Sequence, residues 1–205
     1  MRDISIDLET LGKRYDAPVL AIGAALFDRD TGKIGSTFYE EIDFRSAVKA
    51  GRPDGDTIAW WMQQSHEAQR IFHSTEVEKR HLATALQLFA TWARGCGKGT
   101  PMVWGNGATF DISILEYAYD HGAVGLQEPW HFANVRDVRT IVDAAETIAG
   151  KHPRDLVARV GTHHNAKDDA VYQAHLISTS FELLREGSKK AGAKNLTVTI
   201  EDDEL

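Results

Sequence analysis

Five residues in three separated stretches carry the chemistry open to this sequence. They are Asp7 and Glu9 in ISIDLETLG, Asp111 in WGNGATFDISIL, and His164 and Asp169 in HHNAKDDAVYQAH. The acids stand at the ends of apolar, core-forming segments. A carboxylate there is costly unless something compensates its charge. A pair of divalent cations is the simplest compensation, and it makes phosphodiester chemistry the first expectation.

Each member has a plainer alternative. Asp7 and Glu9 are two apart on a strand, so both side chains leave one face with Cα atoms about 6.5–7 Å apart. That suits two carboxylates reaching a common metal; the alternative is a solvated sheet face. Asp111 follows a glycine-rich turn and opens an apolar helix, where the helix dipole alone would favour an acid. Asn106, five residues earlier, orders the turn or touches substrate. His163 and Asp168 are adjacent decoys. On a helix Asp168 aligns with Tyr172, His175 and Thr179, a polar face. Asp169 aligns with Leu176 and Leu183, so Asp169 is expected to point inward and Asp168 toward water.

The elements that must position these residues follow from periodicity. Asp3–Glu9 alternates Ile4, Ile6, Leu8 against Ser5, Asp7, Glu9, a strand. Val19–Phe27 is nearly all apolar and reads as a strand covered on both faces. The turn DRDTG leads to a third strand over Lys33–Ile42. Helices are expected over IAWWMQQS, capped by Asp56 or Thr57, over EAQRIF, and over Glu76–Arg94. Met102–Gly105 reads as a short buried strand and Phe110–Gly122 as a helix. Trp130–Phe132 is a further expected strand, Val135–Ala149 a helix, and the last helix runs from Ala166 to Glu186. The order βββααβαβαα predicts a layered α/β domain with a mixed sheet. Residues 1–188 form that domain, and 189–205 an acidic C-terminal appendage whose LTVTI either adds an edge strand or stays loose.

Bulk properties narrow the class. The chain has 205 residues, 42% hydrophobic and 26% charged, enough for one α/β core. No stretch is apolar enough to span a membrane, the first residues enter a strand pattern without a secretory leader, and the single Cys96 allows no disulfide framework or cysteine zinc site. A cytoplasmic location is expected. The formal charge of −7 argues against a protein that coats nucleic acid. It permits an enzyme that grips a few nucleotides through cations, because bound cations reverse the local field. The expected grip is weak, salt-sensitive and distributive.

The combination of Asp-x-Glu on an N-terminal strand, Asp opening a central helix and His-x-x-x-x-Asp entering the last helix resembles the DEDDh 3′→5′ exonucleases. The likeness spans about residues 3–185. IDLETLG, TIAWWMQQS, WGNGATFD, VRDVRTIV and HNAKDDAVYQA are similar to the phage and prophage DexA-type and RNase T-like members. The resemblance implies an RNase H-like three-layer α/β fold, with a mixed five-stranded sheet flanked by helices. It implies that Asp7, Glu9, Asp111 and Asp169 hold two Mg²⁺ or Mn²⁺ ions and that His164 is the general base. The substrate would be single-stranded DNA or RNA 3′ ends, DNA being favoured over RNA, and the product a nucleoside 5′-monophosphate. Thr10 and Leu11 stand where relatives touch the terminal sugar and base. In the family an asparagine often stands four residues before the third acid, whereas Asn106 stands five before Asp111. The resemblance also leaves room for a homodimer.

Other features rank lower. Trp60, Trp61 and Met62 form a possible stacking ledge for bases, with Trp61 the assigned contact, although adjacent helical residues cannot both face the core. GCGKGT lacks the spacing of a phosphate-binding loop and precedes a strand rather than following one. Asp137 caps its helix. The rival readings are an exoribonuclease trimming 3′ overhangs, a non-catalytic nucleic-acid-binding module on the same fold, and a nucleotide phosphohydrolase.

Overall fold

The computed structural model describes residues 1–73, 78–97 and 99–191. Five strands form one sheet in the order β3-β2-β1-β4-β5. They are β1 (Asp3–Thr10), β2 (Val19–Phe27), β3 (Ile34–Glu41), β4 (Met102–Gly105) and β5 (Val135–Asp137). β2 runs antiparallel to both β1 and β3, whereas β4 runs parallel to β1 and β5 parallel to β4. The sheet is therefore mixed, with β1 at its centre.

Helices cover both faces. Ile4, Ile6 and Leu8 of β1 face α4 (Leu82–Gly95) and α5 (Asp111–Gly122), whose Leu86, Phe89, Ile112 and Leu115 complete the larger core. On the opposite face Phe27 and Trp104 pack with Val138 and Val142 of α6 (Val138–Ala149) and Ala174 and Ile177 of α7 (Ala166–Ala191). The result is the expected three-layer arrangement. A third cluster of Leu11, Leu20, Trp61 and Ala68 seats α2 (Gly55–Trp61) and α3 (His66–His73). β2 is buried at every position, as its unbroken apolar run requires.

Several details differ from the sequence expectation. A seven-residue helix, α1 (Phe44–Ala50), is capped by Asp43, whose carboxylate accepts from Ser46 N at 2.9 Å. It is too short to show periodicity. Asp54, not Asp56 or Thr57, caps α2, accepting from both the amide and the hydroxyl of Thr57. The fifth strand is Val135–Asp137, not Trp130–Phe132. Trp130 turns into the core beside Phe89 and Tyr119, and His131 caps a single 3₁₀ turn over Phe132–Asn134. The helix expected from Val135 begins at Val138, with Asp137 as its cap through Thr140 N at 2.8 Å. The expected start of the long helix at Glu76 lies outside the described residues, and α4 begins at Leu82. LTVTI also lies outside them, while α7 continues past Glu186 to Ala191.

Candidate active site

β1 and β4 lie side by side and parallel, with Ile6 paired to Gly105. Their C-terminal ends, where open α/β sheets present their ligands, therefore bring Asp7 and Glu9 next to the turn that leads into α5. Gly105 allows Asp111 to come close, since a Cβ there would fall 3.2 Å from the Asp111 Cβ. The Asp111 carboxylate accepts from Asn106 N at 2.9 Å and from the Leu8 amide. The same turn is tied from its other side, because Asp137 accepts from Ala108 N at 2.6 Å. Asp137 thus caps α6 and braces the loop that sets Asp111.

α7 delivers the remaining pair. Its N-terminus is capped by Asn165, whose side-chain oxygen accepts from Asp168 N at 3.2 Å. Asp169 turns toward β1 and Asp168 away from it, as helical register predicts. Asp168 is not idle, however. It accepts from Thr162 N at 2.9 Å and pins the loop that carries His164. His164 is the only described non-glycine residue at positive φ, 62°. Its amide then points at Asp169 Oδ2, 3.3 Å away. Its ring meets the Trp60 ring edge-on, with centroids 5.0 Å apart. His163 is exposed, and its ring meets the His164 ring edge-on with centroids 4.1 Å apart.

The five expected positions converge on one site. One donor atom each from Glu9, His164 and Asp169 lie within 4.8 Å of one another. Asp7 and Asp111 join them electrostatically. Burial and the charges of Asp111 and Glu9 hold the Asp7 carboxyl well above the usual range. Burial and Asp111 push Glu9 up to about 8, and burial pushes Asp111 up to about 7. Buried acids that repel one another are relieved by added positive charge. The four carboxylates offer oxygen donors, which suit a hard divalent cation such as Mg²⁺ or Mn²⁺. The residues fit a divalent-cation site.

Thr10, Leu11, Asn106 and Trp61 are placed nearby with different duties. The Thr10 hydroxyl donates to Gly12 O at 2.7 Å. Trp61 is buried, and its indole N–H donates to Thr10 O at 2.9 Å. Trp61 therefore braces the end of β1, and Trp60 is the exposed member of the pair. Leu11 and Trp61 line an apolar hollow of about 360 Å³ with Phe44, Ile58, Met62 and Phe72. Asn106 supplies its backbone to Asp111, and its buried side-chain oxygen has no hydrogen-bond partner among the described residues.

Two residues absent from the sequence reading complete the site. Gln173 donates to Asp7 Oδ1 at 2.6 Å and accepts from Ser5 at 3.4 Å. It lies four residues beyond Asp169, one helical turn along the same face, so its spacing was available as a signal. Arg159 forms an ion pair with Asp169. No periodicity marks it, because it lies in the irregular stretch before α7.

Comparison with known proteins agrees with this geometry. The family model described as 3′-5′ exoribonuclease Rv2179c-like domain matches residues 2–181. No curated protein matches the chain in sequence. The nuclease domain of 3′hExo, a DEDDh family member bound to rAMP, superposes with TM-score 0.58 at 13% identity, covering 90% of this chain and 92% of that one. Pop2p of S. pombe, in its Mg²⁺- and Mn²⁺-bound form, gives 0.58 at 16% identity, with 91% and 85% covered. Exonuclease X in complex with 5′-overhanging duplex DNA gives 0.53 at 15% identity, with 88% and 91% covered. At such identities the likeness is one of fold, and the fold is the RNase H-like one of DEDDh exonucleases. Among the described residues no helix is long and apolar enough to cross a membrane.

Proposed function

The chain belongs to the Rv2179c-like 3′-5′ exoribonuclease domain family, and from that premise we propose that it removes nucleotides from single-stranded RNA 3′ ends as nucleoside 5′-monophosphates. The observation that carries the reading is the convergence of Asp7, Glu9, Asp111, Asp169 and His164 at the C-terminal ends of β1 and β4. The family description favours RNA over the DNA that the phage-like motifs suggested, and DNA becomes an outcome of the test.

Asp7, Glu9, Asp111 and Asp169 would hold two divalent cations, and the Mg²⁺- and Mn²⁺-bound state of Pop2p supports that choice of metal. When bound, such ions neutralise charge on the phosphate and make water a better nucleophile. Gln173 holds Asp7 in place through its 2.6 Å hydrogen bond. His164 takes the proton from the attacking water at its imidazole. The water oxygen bonds to phosphorus, the P–O3′ bond breaks, the phosphate stays on the 5′ oxygen of the released nucleotide, and the departing O3′ takes up a proton from solvent to become the 3′ hydroxyl of the shortened strand. Burial and the positive charge of His163 and Arg159 hold the His164 pKa below the usual range for histidine. The ring is thus neutral and able to accept a proton at neutral pH. Trp60 fixes its orientation edge-on.

The test is product analysis on 5′-labelled single-stranded RNA and DNA of one sequence, with Mg²⁺, Mn²⁺ or EDTA. A metal-dependent ladder shortening from the 3′ end, faster on RNA, is expected. A faster DNA ladder would reverse the sugar preference. No ladder on either polymer would leave a binding module or a nucleotide phosphohydrolase.

A further inference from the structure

Arg159 faces two partners at once. Its guanidinium pairs with Asp169, and its Cζ lies 4.8 Å from the centroid of the Tyr172 ring. Tyr172 is three residues beyond Asp169 on α7, so the ring is a shelf beside the carboxylate. A guanidinium that rests on an aromatic face keeps its N–H edge free to bond sideways. Here that edge meets Asp169. Its positive charge reaches Asp7, His163 and His164 as well. Arg139 lies against Gly107, its Cζ 3.2 Å from where a Cβ would stand, and its charge reaches Asp111.

A cation at Asp169 would compete with Arg159 for the carboxylate oxygens, and a guanidinium displaced by it would stay near through the Tyr172 ring. The negative group that the reaction brings to that place is the phosphate of the terminal nucleotide. Arginine matches phosphate through two parallel N–H bonds. We propose that Arg159 is a phosphate-binding residue for the terminal nucleotide, held on Asp169 until a metal ion replaces it. This rests on the two-cation reading of the site. It gives Asp169 a counter-charge in the metal-free protein and makes cation entry and phosphate binding successive uses of one side chain.

Calorimetry with Mn²⁺, and then with AMP or adenosine in saturating Mn²⁺, tests this on wild type, Arg159→Gln and Arg159→Lys. Arg159→Gln should bind Mn²⁺ more tightly than wild type, because a competitor for Asp169 has gone. It should bind AMP about tenfold more weakly, the scale of a lost charge-assisted hydrogen bond, while adenosine affinity stays unchanged. Arg159→Lys should fall between on both counts. The proposal is overturned if Mn²⁺ affinity is unchanged or lower in Arg159→Gln, or if AMP loses no more affinity than adenosine. A wild-type protein that takes up no Mn²⁺ sinks the metal reading itself. One that takes it up identically to the variant sinks only the role of Arg159.

Discussion

Gly23 on β2 lies directly beneath Ala166, the first residue of α7. A Cβ at position 23 would overlap the Ala166 carbonyl and the Lys167 amide. Gly23 also pairs with Asp7 across the sheet. One missing side chain therefore lets the last helix start immediately beside the first acid, which brings Asp169 and His164 to Asp7 and Glu9.

Replacing Gly23 should injure fold and site together. The obstacle is helix backbone, which cannot rotate away as a flexible side chain can. Gly23→Ala is expected to destabilise the protein by about 1–3 kcal/mol, the cost of overpacking a core. It should also cut turnover by lifting α7. Urea denaturation and single-turnover assays check this. A variant with wild-type stability would mean that α7 does not rest on Gly23.

Metal-free stability should fall as pH rises. Free carboxylates titrate near 4, whereas Glu9 and Asp111 are pushed up to about 8 and about 7, and Asp7 is also raised. Between those limits the native state holds more protons than the unfolded one, so stability decreases with pH. The favourable contribution is complete below about pH 4 and gone above about pH 8. Melting in EDTA should therefore give a lower Tm at pH 8 than at pH 5. Saturating Mn²⁺ should flatten the slope, and Asp7→Asn should raise the EDTA Tm at pH 8 while abolishing turnover. A Tm in EDTA that is level across this range would contradict the crowding of these acids.

Substitutions at the two histidines separate base from bystander. His164→Ala should lower turnover by about 10²–10⁴, the range for a lost general base, with a much smaller change in Mn²⁺ affinity. His163→Ala should retain most activity. Comparable losses of turnover and Mn²⁺ affinity in His164→Ala would make His164 a ligand instead. Asp168→Asn, which keeps an acceptor for Thr162 N, should stay near wild type, while Asp168→Ala should loosen the His164 loop and lower turnover.

The two adjacent tryptophans should behave oppositely. Trp61 is 3% exposed and bonded to Thr10 O, whereas Trp60 is 40% exposed. Trp61→Ala should cost about 3–5 kcal/mol of stability. Trp60→Ala should cost little stability but slow turnover by releasing the His164 ring. Thermal melts and kcat for both variants, side by side, would expose a reversal of these roles.

Short motifs singled out Asp7, Glu9, Asp111, Asp169 and His164 as candidates, and the fold brings them beside one another. Each belongs to a short motif, and strand or helix period decides which way a side chain points. The same period separated Asp169 from Asp168. It also revealed β1, β2, β4, α5 and α7, whose apolar runs are long or sharply bounded. It failed where elements are brief: α1 spans seven residues and β5 three, so neither builds a repeat, and Val135–Asp137 reads as the opening of the helix that follows it. Spacing could not show what depends on two distant segments meeting. The division of labour between Trp60 and Trp61, the bracing of the Asp111 turn by Asp137, and the pairing of Arg159 with Asp169 arise only when β1, β4, α2 and α7 are packed. Residue types and their spacing marked the candidate groups. Packing set what holds them, because burial and close approach, as of Ala166 over Gly23, are properties of the folded chain and of no single stretch of it.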